Sequence, residues 1–168
     1  MLPARLRTFF LTACLASLAV LTASFYLEVS LGLVPCLLCF SQRFFLGVYA
    51  MICLCATVHA PGVAGVRRYG QAALAFAAAG ALLAARHVWL QGAVGIDHAC
   101  PASLRQVLQS SWSEAARQLV LGGPDCSSMT WSFLDLTLPE WSLLAFLLLA
   151  ALPLSNLLAY RFRTLGKA

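Results

Sequence analysis

Four long apolar stretches, separated by polar segments, dominate the pattern of hydrophobic and polar residues along the chain. They cover approximately residues 8–27, 42–60, 69–90 and 141–160. Each is close to the ~20 residues that a helix needs to cross the hydrocarbon core of a bilayer. Because lipid cannot satisfy backbone N–H and C=O groups, such spans must be helices. The pattern therefore predicts an all-α membrane protein, a four-helix transmembrane up-down bundle forming a single domain over residues 1–168.

The composition supports a membrane protein rather than a soluble one. Hydrophobic residues make up 61% of the 168 positions and charged residues only 10%, whereas soluble domains have about 25% charged residues. The net charge of +5 raises the possibility of a nucleic-acid partner. However, the cations are split among short loops and chain ends and form no patch with interleaved aromatic residues. We therefore expect a lipid bilayer as a partner and no nucleic acid.

The charges are distributed unequally between the two sides of the predicted bundle. All six acids fall on one side, and seven cations fall on the other. The positive-inside rule makes the cation-rich side cytoplasmic, so both termini are expected inside and the loops of about residues 28–41 and 91–140 outside. In a bacterium this outer side of the inner membrane is the periplasm, where disulfides persist. Glu28, at the end of the first span, is expected to be solvated. The seven cations are Arg5, Arg7, Arg67, Arg68, Arg161, Arg163 and Lys167.

The segment Pro35-Cys36-Leu37-Leu38-Cys39, between the first two spans, carries the clearest candidate chemistry. Two cysteines separated by two residues form a redox-active disulfide or half of a metal site. If Pro35 occupies the first turn of the second helix, Cys36 and Cys39 lie one turn apart at its N-terminus. Free N–H groups and the helix dipole favour a thiolate there. Arg43 follows Cys39 by four residues and is expected on the same helix face.

The seven cysteines divide into two groups by their predicted location. Three fall inside the spans and are expected to be small buried packing residues, namely Cys14, Cys53 and Cys55. The other four fall on the outer side, where four cysteines allow three pairings and the sequence does not choose among them. One pair within each loop is the natural resting arrangement. These four are Cys36, Cys39, Cys100 and Cys126.

The long loop of about residues 91–140 is amphipathic. Its apolar residues recur at helical spacing, which predicts one or two short helices lying in the membrane interface. Trp112 suits the role of an interfacial anchor. The apolar positions are Leu104, Val107, Leu108, Trp112, Ala115 and Leu119.

Several motifs together resemble those of the DsbB family, bacterial inner-membrane disulfide-forming oxidoreductases. Pro35-Cys36-Leu37-Leu38-Cys39, followed by Gln42-Arg43, is similar to the first-loop motif of the family. His87-Val88-Trp89-Leu90-Gln91 is similar to the end of its third helix. Cys126, followed by Trp131-Ser132-Phe133-Leu134-Asp135-Leu136, is similar to its second-loop signature.

Two positions depart from the family pattern. Asp135 stands where a glycine is usual, and Glu28 stands where a glutamine is common. Neither residue belongs to the cysteine motifs, but Asp135 is expected to alter the backbone where the second loop returns to the membrane.

The resemblance implies a quinone-dependent protein-disulfide oxidoreductase with redox-active disulfides Cys36–Cys39 and Cys100–Cys126. Reduced DsbA, a soluble periplasmic protein of the thioredoxin fold, would attack the second disulfide and form a mixed disulfide with Cys100. Cys126 would then exchange with Cys36, leaving Cys39 as the thiolate that passes electrons to membrane quinone, either ubiquinone or menaquinone. The DsbA–DsbB–quinone relay is the established kinetic oxidant of the bacterial periplasm.

The resemblance also implies two quinone-binding residues. Arg43 would support the Cys39 thiolate and the charge that develops on the quinone. His87 would sit near a quinone carbonyl.

Two other classes of function stay open. One is a membrane protein with a structural zinc site of four thiolates, which is disfavoured because the second pair is not a CxxC motif and lies in an oxidising compartment. The other is a non-catalytic membrane protein with purely structural disulfides. The favoured interpretation expects no metal.

Overall fold

The computed structural model describes residues 3–32, 36–59, 61–93, 112–121 and 132–165. Four helices in this part of the chain are long and apolar enough to cross a membrane. They confirm the prediction of an all-α four-helix membrane protein. A short helix and a small hairpin of two strands lie between the third and the last of these long helices in the described part of the chain. The elements are α1 (Pro3–Leu31), α2 (Leu37–His59), α3 (Val63–Ala93), α4 (Trp112–Leu121), β1 (Ser132–Phe133), β2 (Leu136–Thr137) and α5 (Leu138–Leu165).

The helices extend beyond the apolar stretches from which they were predicted. Helix α1 continues through Glu28 to Leu31, and α2 begins at Leu37, so the first connection is shorter than the predicted loop of residues 28–41. Gly32 follows the last residue of α1 with φ of +60°. This left-handed conformation commonly ends a helix, and glycine adopts it without the steric cost of a Cβ atom.

Small residues lie where the long helices cross. Helix α2 packs against α1 and α3, and α3 packs against α5. Small side chains allow transmembrane helices to approach closely, which favours their association. At Gly80 the approach is tight, because a Cβ atom there would clash with the ring of Phe146. The buried small residues of the core include Ala13, Ser17, Ala73, Ala77 and Ala84.

The membrane cysteines mostly follow the expectation of buried packing residues. Cys14 and Cys53 are buried in the main apolar core, at 3% and 1% exposure. Cys55 is only half-buried. The two buried thiols thus serve as small apolar side chains between helices.

A side chain from α2 compensates for a proline in α5. Helix α5 passes through Pro153 as one helix. Because proline has no N–H, the carbonyl of Leu149, four residues earlier, loses its usual intrahelical donor. The hydroxyl of Tyr49 donates to that carbonyl at 3.0 Å, and Tyr49 is 1% exposed. A bond between helices therefore replaces the missing bond within α5 and ties α2 to α5.

The hairpin of β1 and β2 was not expected from the sequence. Ser132 pairs with Thr137 and Phe133 with Leu136, so the loop contains only Leu134 and Asp135. Both have positive φ, at 54° and 60°, as in type I′ turns, where Gly, Asn and Asp are favoured. Asp135 tolerates this left-handed conformation, whereas for Leu134 the conformation carries a strain of about 1–2 kcal/mol. Asp135 stands where the family usually has a glycine, and aspartate, like glycine, tolerates the backbone conformation of this turn.

The start of α5 is fixed to the end of α3. The N–H of Thr137 donates to the carboxylate of Glu140 at 2.6 Å, as in a capping box. The Thr137 hydroxyl lies 3.0 Å from the same carboxylate and 3.1 Å from Oε1 of Gln91 on α3. These contacts hold the hairpin at the end of the bundle where the cysteine motif also lies.

Helix α4 docks on the beginning of α2. The hydroxyl of Ser41 lies 2.8 Å from the carbonyl of Leu119, and Leu119 packs against Leu37. A short helix in the second loop is therefore present, as the amphipathic pattern predicts, while its placement in a membrane interface stays a prediction.

Candidate active site

The two cysteines of the CxxC motif lie at the N-terminus of α2, as predicted. Cys36 directly precedes the helix, and its sulfur accepts the N–H of Cys39 at 3.4 Å. It therefore acts as the helix cap, since a cap side chain accepts an amide of the first turn. The two Sγ atoms are 3.1 Å apart. Cys36 is buried and Cys39 half-buried, so Cys39 is the more accessible sulfur. Pro35 lies outside the described residues.

His87 contacts this pair from α3. Its Nε2 atom lies 3.7 Å from Sγ of Cys36, and its Nδ1 atom lies 4.0 Å from Sγ of Cys39. The amide nitrogen of Gln42 lies 3.3 Å from Nδ1, which fixes the ring orientation so that Nε2 faces Cys36. The side chain of His87 is fully buried. The structure thus places His87 against the sulfurs of the motif.

Arg43 extends from α2 to α1 and is held there by several groups. Its Nε donates to the Ser24 hydroxyl at 2.7 Å, and one terminal nitrogen donates to the Ser24 carbonyl at 3.1 Å. The other terminal nitrogen forms an ion pair with Glu28. The guanidinium carbon also lies 4.5 Å from the ring centroid of Phe25, a cation–π distance. The expectation of a solvated Glu28 is therefore wrong, because its carboxylate is paired with Arg43.

A mostly apolar cavity of about 360 Å³ opens beside Cys39 and Arg43. Its volume falls within the ~300–1,000 Å³ range of small-molecule sites, which combine apolar walls with a few polar groups. Residues of α1, α2, the hairpin and α5 line it, and His87 is not among the described lining residues. The polar groups at its wall include Ser24, Glu28, Gln42, Arg43 and Ser142, and three aromatic rings come from Phe133, Trp141 and Phe146.

The aromatic wall is held by the hairpin. The indole N–H of Trp141 donates to the carbonyl of Phe133 at 3.0 Å, and the two ring centroids are 6.4 Å apart. The turn that carries Phe133 therefore helps to shape the cavity beside the cysteine motif.

The structure brings together four of the six residues that the sequence assigns to the site. Cys36, Cys39 and His87 form one contacting group, and Arg43 shares the cavity wall with Cys39. Cys100 and Cys126 lie outside the described residues, so their position stays a prediction. Sequence reasoning missed the contacts of Arg43 with α1. A signal for them exists, because Ser24 and Glu28 are polar residues four apart near the end of an apolar span, and such residues share a helix face.

Sequence comparison with known proteins gives consistent matches. The family model described as "Disulfide bond formation protein DsbB" matches residues 6–155. The chain is 68% identical to disulfide bond formation protein B 2 of Pseudomonas putida, over 99% of both chains. It is 63% identical to the protein of the same name from Pseudomonas entomophila, over 94% of both chains.

A more distant relative also aligns over most of its length. Disulfide bond formation protein B 1 of Pseudomonas aeruginosa is 39% identical, over 83% of this chain and 87% of the relative. No solved structure matches the chain significantly. Since the family model and these relatives all cover most of the chain, it belongs to the DsbB family of disulfide bond formation proteins.

Proposed function

We propose that the chain is a quinone-dependent protein-disulfide oxidoreductase of the bacterial inner membrane, with both termini in the cytoplasm. It oxidises DsbA in the periplasm and passes the electrons to membrane quinone. The observation that carries this proposal is the position of Cys39, whose sulfur lies 3.1 Å from that of Cys36 and which lines an apolar cavity. A dithiol beside such a cavity can deliver electrons to an apolar acceptor without leaving the membrane edge.

The relay begins with thiol–disulfide exchange. A thiolate of reduced DsbA attacks the Cys100–Cys126 disulfide, forming a mixed disulfide with Cys100 and releasing Cys126 as a thiolate. The second thiolate of DsbA then attacks the mixed disulfide, which releases oxidised DsbA and the Cys100 thiolate. The Cys126 thiolate attacks Cys36 of the Cys36–Cys39 disulfide and releases Cys39 as a thiolate. The Cys100 thiolate then attacks Cys126, which re-forms the Cys100–Cys126 disulfide and releases Cys36. Each exchange breaks one S–S bond as it forms another, so the two electrons arrive on the first pair.

The packing of α4 supports the proposed exchange between Cys126 of the second loop and Cys36 of the first. Because Leu119 packs on Leu37, the chain leaves α4 beside the N-terminus of α2. Cys126 follows Leu121 by five residues, which bridge at most about 18 Å when fully extended. This limits how far Cys126 can lie from the docked end of α4, near the CxxC motif.

The cavity fits the electron acceptor that the relay requires. A bound quinone supplies a two-electron acceptor that takes up two protons, matching the two electrons and two protons released when a dithiol closes to a disulfide. DsbA is itself a strong oxidant at about −120 mV, so its reoxidation needs an acceptor of higher potential. The walls are mostly apolar, and the guanidinium of Arg43, held by α1 and paired with Glu28, lies at the wall beside Cys39.

The roles of Arg43 and His87 follow from their different positions. Arg43 would bind the acceptor and stabilise negative charge at the cavity wall, near Cys39. His87, buried against both sulfurs, is placed to exchange a proton with the thiols. That His87 also lies near a quinone carbonyl stays a prediction.

The decisive experiment mixes purified protein, quinone and reduced DsbA, and follows thiol loss and quinone reduction together. The parent protein should show both in a 1:1 ratio of disulfide formed to quinol formed. Cys39→Ser should abolish quinone reduction, while Cys55→Ser, a half-buried cysteine within a span, serves as the matched control and should leave it unchanged. If the parent protein consumes no quinone, the proposal fails.

The Cys39→Ser variant and a metal analysis of the purified protein distinguish the proposed function from the two alternatives. Structural disulfides predict that Cys39→Ser lowers stability but leaves DsbA oxidation intact. A structural metal site predicts that the purified, active protein contains tightly bound metal.

A further inference from the structure

Cys36, Cys39 and His87 form the arrangement of a three-ligand metal site. Their ligand atoms all lie within 4.8 Å of one another, with Cys36 and His87 buried and Cys39 half-buried. Two cysteines and one histidine are typical ligands of zinc. This grouping differs from the four-thiolate site considered from the sequence, because a histidine from α3 supplies the third ligand.

The spacing of these atoms is close to what zinc requires. With Zn–S of about 2.3 Å and Zn–N of about 2.0–2.1 Å, a tetrahedral site places sulfur and nitrogen ligands about 3.6 Å apart and two sulfurs about 3.8 Å apart. Sγ of Cys36 and Nε2 of His87 are already 3.7 Å apart. The two sulfurs are 3.1 Å apart, and Sγ of Cys39 lies 4.0 Å from Nδ1 of His87, so binding through Nε2 requires the Cys39 side chain to rotate toward that atom.

We propose that the reduced form of this protein binds Zn²⁺ through Cys36, Cys39 and His87, and that binding blocks the cysteine pair reversibly. The site coincides with that of the proposed oxidoreductase, so this inference adds a regulatory metal to the proposed function. Binding itself requires only the dithiol and the imidazole, and it can be measured without DsbA or quinone.

Charge favours Zn²⁺ in this position. Two thiolates and a neutral imidazole cancel the charge of Zn²⁺, so the complex places no net charge at the edge of the bilayer. An isolated buried ion there would carry a large desolvation cost. Binding releases the two thiol protons, since the metal is held by thiolates.

Gln42 is positioned to support the metal site. Metal-bound histidines usually donate their other ring N–H to an oxygen acceptor. The Gln42 amide lies at 3.3 Å from Nδ1 of His87, and a half-turn of the amide places its oxygen there. Nδ1–H then donates to Gln42, which leaves the lone pair of Nε2 for the metal on the side facing Cys36.

The site is open rather than closed. Cys39 borders the cavity, so the fourth coordination position can take water from that side. Three protein ligands and an open position are typical of catalytic rather than structural zinc sites. Since a Cys36–Cys39 disulfide has no thiolates to offer, zinc competes with oxidation and holds the pair reduced until the metal leaves.

The test uses Co²⁺ as a spectroscopic substitute for Zn²⁺ on the full chain, purified in detergent and reduced without oxygen. Cys100→Ser and Cys126→Ser are present throughout, so that the second pair cannot supply ligands. We expect one equivalent of Co²⁺ to give thiolate-to-cobalt charge transfer and tetrahedral d–d bands, and one equivalent of Zn²⁺ to remove them. Oxidised protein, with Cys36 and Cys39 joined, should show no such bands.

Variants distinguish this site from binding elsewhere. His87→Ala should weaken Zn²⁺ binding at least tenfold, and Gln42→Ala should weaken it about 10- to 100-fold, as for other residues that support metal ligands. His59→Ala is the matched control, because His59 is exposed and contacts Tyr69 instead, and its affinity should equal that of the parent. His87→Cys supplies a third thiolate and should restore binding, which guards against a folding defect in His87→Ala.

Two results would overturn the inference: no cobalt bands in the reduced protein, or equal zinc affinity in the parent and in a folded His87→Ala variant. A protein that binds zinc but does not oxidise DsbA would refute the proposed function alone. A protein that oxidises DsbA with quinone but binds no zinc would refute only the metal site.

Discussion

The bond between Tyr49 and the Leu149 carbonyl gives the sharpest test of how the bundle is held together. Replacing Tyr49 by phenylalanine keeps the ring but removes the hydroxyl that lies 3.0 Å from this carbonyl. Because Pro153 has no N–H, α5 cannot supply the donor that the carbonyl would otherwise use. The variant therefore leaves a polar group without that donor in the apolar interior of the bundle.

The expected loss in free energy of unfolding for Tyr49→Phe is about 1–1.7 kcal/mol. An unsatisfied buried acceptor costs about 1–3 kcal/mol in proteins generally. Hydrogen bonds between membrane helices contribute less, about 0.6 kcal/mol on average and up to about 1.7. We expect the upper part of this second range, because Tyr49 is 1% exposed and water cannot easily replace its hydroxyl.

A double-mutant cycle with Pro153→Ala isolates the cause. Alanine restores the N–H at position 153, so Leu149 regains its intrahelical donor and the Tyr49 hydroxyl becomes dispensable. In this background Tyr49→Phe should cost less than about 0.5 kcal/mol, which gives a coupling energy of about 1 kcal/mol. Equal costs in the two backgrounds would refute the reasoning.

The assay is reversible unfolding in mixed micelles, followed by circular dichroism and tryptophan fluorescence. Tyr26→Phe serves as the control for removing a tyrosine hydroxyl, because Tyr26 is 69% exposed. It should leave the free energy of unfolding unchanged.

Three further predictions concern the cavity and the hairpin. Arg43→Ala should raise the apparent KM for quinone more than the apparent KM for DsbA in steady-state kinetics. Glu28→Gln should have a smaller effect of the same kind, because it removes only the ion pair that helps to hold the guanidinium of Arg43. Equal effects on both substrates would contradict the role of Arg43. Gly80→Ala should lower the free energy of unfolding by up to about 2 kcal/mol, since overpacking costs about 1–3 kcal/mol and alanine returns up to ~1 kcal/mol of helix propensity. Gly47→Ala, with open space around it, should not destabilise, and similar unfolding energies for the two variants would be inconsistent with the tight crossing. Leu134→Gly should raise the melting temperature by relieving about 1–2 kcal/mol of left-handed strain, and a lower melting temperature would argue against the type I′ turn.

Sequence alone determined the four spans and the location of the CxxC motif. Lipid imposes this result, because an apolar segment of sufficient length has no alternative to a helix within the bilayer. The start of α2 was predicted only in part. The apolar stretch begins near residue 42, whereas Pro35 and the cysteine pair indicated an earlier start, and the helix begins at Leu37. The motifs around Cys36 and Cys126 further indicated the family, which the comparisons confirm.

Only the tertiary structure decided which side chains meet. Spans that are apolar nearly all round carry little information about which face packs inward, so helix rotation was not readable from the pattern. Rotation of α3 places His87 against Cys36 and Cys39, and rotation of α1 places Glu28 against Arg43. The hairpin was also missed, because Leu134 is not a residue that type I′ turns favour. The cavity beside Cys39 is the combined result, because it forms only where α1, α2, the hairpin and α5 come together.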